Sequence, residues 1–160
     1  MSRSARPART AVVAASAAAG VLLLAACSPT TTKLPYAPSD GARVNLNDQV
    51  RGINLMVVSE GDGAPGTVYG ALANDSADVV DFVLEADGAA PLAVPVPAGG
   101  TVYLGEDETL DTTLSAVSVH AGGSLESTLS GADTEEVFYL PVFDGTLPEY
   151  ATLLPETAPS

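Results

Sequence analysis

Basic residues are scarce in this sequence, and tryptophan is absent. The 160 residues include six lysines and arginines against twenty aspartates and glutamates, which gives a formal net charge of −14. From Gly52 to Ser160 there is no Lys or Arg at all. Nucleic-acid binding needs clustered basic side chains, so we expect no nucleic-acid partner. An acidic surface would also repel anionic lipid head groups.

Histidine and cysteine, which serve as catalytic bases, nucleophiles and soft-metal ligands, are equally few. The chain has one histidine, His120, and one cysteine, Cys27. A nucleophilic serine or cysteine needs a base beside it, and His120 precedes Gly122 and Gly123, where a strand end or turn is expected. Copper needs several His, Met or Cys ligands, and beyond the N-terminal segment only His120 and Met56 are present. We therefore expect no catalytic residues, no cofactor and no copper site.

One acidic cluster is a weak candidate for binding a hard cation. Calcium takes six to eight oxygen ligands, and Glu106, Asp107, Glu108 and Asp111 could supply some of them. The cluster lacks the alternating ligands and the glycine of a calcium loop, so a solvated loop is the favoured interpretation. Asn74-Asp75-Ser76 is interpreted in the same way, as an Asx-type turn.

The N-terminus has the features of an export signal. Arg3, Arg6 and Arg9 precede an apolar run that ends in Leu24-Ala25-Ala26-Cys27. This resembles the lipobox of bacterial lipoproteins, whose cysteine receives a diacylglyceryl thioether before the signal is cleaved in front of it. The uncharged run Ala11–Ala26 is shorter than the roughly 20 residues that span a bilayer. The alternative is an ordinary secretory signal.

The lipobox resemblance implies how the protein is held in the cell. Fatty acyl chains such as palmitate on Cys27 would anchor it to the extracytoplasmic face of the cell membrane. With Cys27 lipidated, no thiol remains for a disulfide partner. We therefore expect the membrane to be contacted through the lipid on Cys27.

Composition divides the chain into four parts. We predict a lipoprotein signal peptide over 1–26, a lipidated N-terminus and flexible tether over 27–42, a β-sandwich domain over 43–144 and a Pro-rich C-terminal tail over 145–160. An ordered N-terminal arm anchored by Tyr36 is the alternative to a flexible tether. The segment after Phe143 has too few apolar residues to suggest another core element.

Between the two ends, apolar residues recur with a period of two. Short strands separated by Gly-, Pro- and Asn-rich turns predict an all-β fold, an antiparallel β-sandwich or barrel, of which we favour the sandwich. Two sets of residues are each predicted to share one face of a strand: Ile53, Leu55 and Val57, and Val80, Phe82 and Leu84. Val137–Phe143 is nearly all apolar and is predicted to be a central strand covered on both sides. Pro91, Pro95 and Pro97 predict an edge strand or a loop.

Four runs of the sequence resemble a group of actinobacterial surface lipoproteins, themselves distantly similar to periplasmic copper chaperones of the PCuAC type. The runs are Tyr36–Gly41, Val50–Val58, Gly70–Asn74 and Leu140–Tyr150. The resemblance implies an immunoglobulin-like or cupredoxin-like sandwich. It does not carry the copper site over, because no His or Met occurs from Phe82 to Leu114.

Together these observations predict a lipid-anchored cell-envelope lipoprotein that acts as a non-enzymatic interaction or structural module, with an envelope protein as its partner. One alternative is a metallochaperone-like protein related to PCuAC chaperones, with a lost or altered metal site. The other is an envelope enzyme that uses carboxylates, since paired carboxylates can perform acid–base catalysis.

Overall fold

The computed structural model describes residues 39–106 and 109–155. Within these residues the chain forms nine β-strands and no helix. The strands are β1 (Ala42–Asn45), β2 (Val50–Ser59), β3 (Gly66–Asn74), β4 (Val80–Ala86), β5 (Leu92–Val96), β6 (Gly100–Leu104), β7 (Thr113–Leu114), β8 (Ser124–Gly131) and β9 (Thr134–Phe143). The predicted all-β class is confirmed.

The strands form two sheets that share β9. In the first sheet, β2 pairs with β1 and β3, and β3 also pairs with β6 and β7. The second sheet has the order β5-β4-β8-β9. β9 pairs with β8 along most of its length and then continues, parallel, beside Val57 and Val58 of β2. The antiparallel sandwich therefore contains one parallel strand pair.

The hydrophobic core lies between the two sheets and follows the predicted alternation. In β4, Val80, Phe82 and Leu84 are buried, whereas Asp81 and Glu85 are exposed. Successive side chains of a strand point to opposite faces, so one face of β4 enters the core and the other meets solvent. The largest fully buried core side chains include Phe82, Leu55, Leu104, Leu114, Leu125, Leu129 and Leu140.

A β-bulge in β2 breaks the predicted pattern. The pairing of β2 with β3 slips between Ile53 and Met56, and Asn54 has a positive φ of 53°. The bulge switches which residues face inward, so Gly52 and Leu55 are buried while Ile53 is not part of the core. The prediction that Ile53 shares a face with Leu55 and Val57 is wrong for this reason.

Strand β9 is central but is not covered on both faces. Leu140 and Val142 are buried, as predicted, but Val137 and Tyr139 are each 65% exposed. Both exposed residues point away from the core, and the chain places no further layer over them in the part that the structure describes. The prediction of two-sided burial is therefore wrong for the first half of the strand.

The segment that follows β9 is part of the folded domain as far as the structure describes it. Tyr150 is 5% exposed and packs with Met56 and Val58 in a second apolar cluster on the outer face of the first sheet. Its ring lies 5.1 Å from that of Phe143. Within residues 145–155 the predicted Pro-rich tail therefore packs on the domain: a few apolar side chains are enough, because the sheet supplies the rest of the cluster. Residues 156–160 lie outside the described part.

Two expectations about edges and turns are confirmed. β5, which contains Pro95, is an edge strand paired with β4 alone. The buried Asn74 side chain organises the turn after β3, because its Oδ1 accepts from the Ser76 N–H and its Nδ2 donates to the carbonyls of Asp78 and Val96. This is the expected Asx-type turn.

Candidate functional site

Only part of the acidic cluster over residues 106–111, the candidate site for a hard cation, lies among the described residues. Glu106 is exposed, and Asp107 and Glu108 lie outside the described part. The Asp111 carboxylate accepts a hydrogen bond from the Thr113 N–H at 3.0 Å, which lowers the pKa of Asp111. Asp111 is therefore engaged in a local turn. Across residues 39–106 and 109–155, no three His, Cys, Asp or Glu side chains converge as a metal site would require.

The other residues singled out from the sequence are separated from one another. His120 is exposed and forms an isolated β-bridge with Gly61, and its carbonyl accepts from the Gly123 N–H at 3.0 Å. This is the expected turn position. Met56 is buried in the second apolar cluster, near Tyr150. Cys27, the predicted lipidation site, lies outside the described residues.

A pocket that no sequence signal singled out lies on the outer face of the first sheet. We call it the bulge pocket, because the β2 bulge forms one side of it. Its volume is about 450 Å³. It is lined by Ile53, Asn54, Met56, Tyr69, Gly70, Ala71, Tyr103, Leu104, Gly105, Glu106 and Leu153. Most of this lining is hydrocarbon, with Glu106 as its one carboxylate, so the pocket suits an apolar group.

The bulge pocket is recessed at its centre because the residue there, Ala71, has a small side chain. Ile53, Ala71 and Tyr103 are neighbours across β2, β3 and β6. Ala71 therefore lies between two large side chains that form opposite walls. The bulge turns Ile53 outward, and Tyr103 is 56% exposed at the rim.

The bulge in β2 leaves no room for a side chain at Gly70 of the paired strand β3. Gly70 has a φ of +128°, and a Cβ built there would lie 2.7 Å from the Asn54 carbonyl oxygen. Non-glycine residues avoid this conformation, and β-bulges re-aim side chains at functional positions. The pocket wall at Asn54 is thus set by main-chain contact, which leaves it little freedom to collapse.

Tyr69 forms the end wall and is held from two sides. Gly105 packs directly against its ring, so that a Cβ on Gly105 would overlap the ring atoms. The Tyr69 hydroxyl donates to the Leu153 carbonyl at 2.8 Å. Burial raises the pKa of Tyr69, so its hydroxyl stays protonated and remains a donor at neutral pH. These contacts link the pocket to the C-terminal segment.

Sequence reasoning missed this pocket because its shape comes from the backbone. The available signals were indirect: an asparagine in the middle of an apolar strand, and adjacent small residues at Gly70 and Ala71 in the next strand. Neither predicts which residues stand opposite each other. In comparisons with known proteins, no family model and no curated protein matches the chain. Among the described residues, no helix is long and apolar enough to cross a membrane.

Proposed function

We propose that this chain is a lipid-anchored protein of the cell envelope and a non-enzymatic binding module, whose bulge pocket receives an apolar group of its partner. The lipid anchor rests on the lipobox-like run that ends at Cys27, and the observation that carries the binding role is the pocket itself. It is concave, largely apolar and walled by Tyr69, Tyr103 and the Asn54 main chain. Pre-formed apolar pockets with few polar groups are typical binding sites.

The rigidity of the pocket supports binding. An ordered wall loses little conformational entropy when a ligand enters, and this saving increases affinity. Two of the walls are fixed by contacts within the domain, at Gly70 against Asn54 and at Gly105 against Tyr69. The pocket therefore has the pre-organisation that a binding module needs.

The path of the chain supports a site close to the membrane. The Gly41 N–H donates to Asn54 Oδ1 at 2.7 Å, so the chain enters the domain at the margin of the bulge pocket. Cys27 precedes Gly41 by fourteen residues. A fully extended chain of that length spans at most roughly 50 Å. A lipid on Cys27 would hold the pocket within that distance of the bilayer, where a membrane or envelope partner is in reach.

Anchoring is tested by fractionating cells that express the full chain or its Cys27→Ala variant. We expect the parent chain in the membrane fraction, with a mass that shows acyl chains on Cys27. The variant should be released or left uncleaved, because it has no lipid acceptor. Full membrane retention of a correctly cleaved Cys27→Ala product would contradict the anchor.

Binding through the pocket is tested in the same cells by photo-crosslinking. With p-benzoylphenylalanine replacing Tyr103, we expect one discrete adduct, which should be lost when Ala71→Phe fills the pocket floor. The matched control is Thr101→Phe, an exposed change on the same strand as Tyr103. An adduct that survives Ala71→Phe, or that is lost equally with Thr101→Phe, would exclude the pocket as the binding site.

A further inference from the structure

The outer face of the second sheet has an ordered arrangement of charge that the bulge pocket does not use. We call it the acidic face. It consists of the outward side chains of β4, β8 and β9. Cross-strand neighbours on it are Glu85, Thr128 and Val137 in one row, and Glu126 with Tyr139 in the next. Since no Lys or Arg follows Arg51 in the sequence, no basic side chain of the second sheet balances these carboxylates.

Each end of the acidic face has a shallow depression bordered by carboxylates. The first, of about 680 Å³, lies beside the β8–β9 hairpin and includes Asp81, Asp133 and Glu135. The second, of about 420 Å³, includes Glu85, Asp87 and Glu126. Asp81 and Glu85 are four residues apart on β4, which corresponds to roughly 13 Å at 3.3 Å per residue.

Exposed apolar side chains lie between and beside the two depressions. Val137 and Tyr139 on β9 are each 65% exposed, and Val79 at the hairpin depression is exposed to the same extent. Val83 lies midway between Asp81 and Glu85 on the same face of β4. Carboxylates at both ends with apolar residues between them match a ligand with the reverse order of features: a cation, an apolar group and a second cation.

We propose that the acidic face binds a basic protein segment in extended conformation, with Lys or Arg side chains four positions apart and an apolar residue midway. In an extended chain, residues i, i+2 and i+4 point to the same side, so such a segment would place one cation in each depression and its apolar residue near Val83. This rests on the proposed role as a binding module, but it assigns a different surface.

Charge selects this occupant over the others. A second copy of the chain would bring its own carboxylates, and phospholipid or nucleic-acid phosphates would be repelled in the same way. A metal ion is also a poor match, because no three carboxylates in the described part of the chain converge on one point. Separate ammonium or guanidinium groups suit carboxylates that are spread along a strand.

The test uses the full-length chain in neutral detergent and a labelled seven-residue peptide. The peptide has lysine at positions two and six, valine at position four and threonine elsewhere, and its binding is followed by fluorescence polarisation at low ionic strength. We expect saturable binding that weakens with added salt. A peptide with glutamate in place of lysine should not bind. Equal binding of the two peptides would overturn the proposal.

Variants locate the bound peptide. Combining Asp81→Asn with Glu85→Gln should raise the Kd roughly three- to tenfold, as expected for the loss of two partly exposed ion pairs. The matched control, Asp48→Asn with Asp62→Asn, removes two exposed carboxylates from turns of the first sheet and should change the Kd by less than about twofold. Equal weakening by the two pairs of changes would reduce the interaction to net charge and overturn the assigned surface.

A second pair of variants separates this surface from the bulge pocket. Tyr139→Ser should weaken peptide binding about threefold, since an exposed contact is lost, whereas Tyr103→Ser should leave it unchanged. Weakening by Tyr103→Ser alone would move the peptide to the bulge pocket, which would overturn this inference and leave the proposed function standing. Peptide binding at the acidic face without any pocket-dependent crosslink would contradict the bulge pocket as a binding site and leave this inference standing.

Discussion

The outer faces of the two sheets contain similar apolar side chains but differ in what covers them. On the first sheet, Met56 and Val58 are buried because Tyr150 and its neighbours in the C-terminal segment pack over them. On the second sheet, Val137 and Tyr139 stay exposed. Carboxylates surround the exposed pair, and like charge on an uncovered sheet opposes association between copies. The difference indicates that the part of the first face beneath Tyr150 serves the stability of the domain, whereas the bulge pocket beside it and the second face remain open to contacts.

The strongest check of this comparison is to truncate one tyrosine on each face. Tyr150→Ala should lower the free energy of unfolding by about 3 kcal/mol, because it removes a buried aromatic ring from the C-terminal segment. Tyr139→Ala removes an exposed ring and should change it by less than about 0.5 kcal/mol. Denaturant unfolding of the two variants measures both values. Similar losses of unfolding free energy in the two variants would contradict the conclusion that Tyr150 stabilises the domain and Tyr139 does not.

An intermediate effect is expected where the first sheet forms its pocket. Gly70→Ala puts a Cβ against the Asn54 carbonyl at a positive φ, and should cost about 2 kcal/mol. Gly99→Ala is the control, because its φ is also positive but nothing lies within 4 Å of the added atom. It should cost about 1 kcal/mol. Equal losses in thermal or denaturant unfolding would mean that the contact between the bulge and Gly70 is not tight.

The smallest effect concerns the hydroxyl of Tyr150. It donates to the Asp40 carboxylate at 2.5 Å, and this bond, together with burial, raises the pKa of Tyr150 to about 12. Tyr150→Phe should cost about 1 kcal/mol near neutral pH. Because the folded-state pKa lies above the unfolded value of about 10, the contribution is complete below pH 10 and is lost as the pH rises towards 12.

Unfolding of the parent chain and of Tyr150→Phe at several pH values measures this contribution. The difference in stability between the two proteins should narrow above pH 10, because the phenylalanine variant has no hydroxyl to ionise at that position. A constant difference up to pH 12 would show that the hydrogen bond to Asp40 does not shift the pKa of Tyr150.

The sequence predicts burial correctly where strand alternation alone determines it. It fails where a paired strand or a covering layer determines which side chains are buried. Val80, Phe82 and Leu84 are correctly predicted to share the core face, because strand alternation requires no knowledge of the neighbouring strands. Ile53 is misplaced because the bulge depends on Gly70 in the paired strand. The burial of Val137 is predicted wrongly because the sequence of a strand does not show whether another layer covers its outer face.

The second apolar cluster, the bulge pocket and the acidic face were less predictable from the sequence than the strands. Tyr150 is one aromatic residue in a Pro-rich segment, and its burial depends on an apolar face formed by distant residues. The bulge pocket depends on main-chain geometry and on small residues placed opposite large ones. The rows of the acidic face depend on strand register. Register is set by pairing between strands, so the sequence indicated an acidic surface without its arrangement.

The sharing of β9 between both sheets has a consequence for how the domain folds. Val57 of β2 pairs with Val142 of β9, two residues 85 positions apart in the chain. Closing so long a loop is entropically costly and slows folding relative to local pairings. Until Val142 and Phe143 are available, one edge of β2 has no partner along its second half. The order of synthesis therefore leaves the β2 edge and much of the core exposed until β9 has emerged, which makes β9 decisive for completing the sandwich.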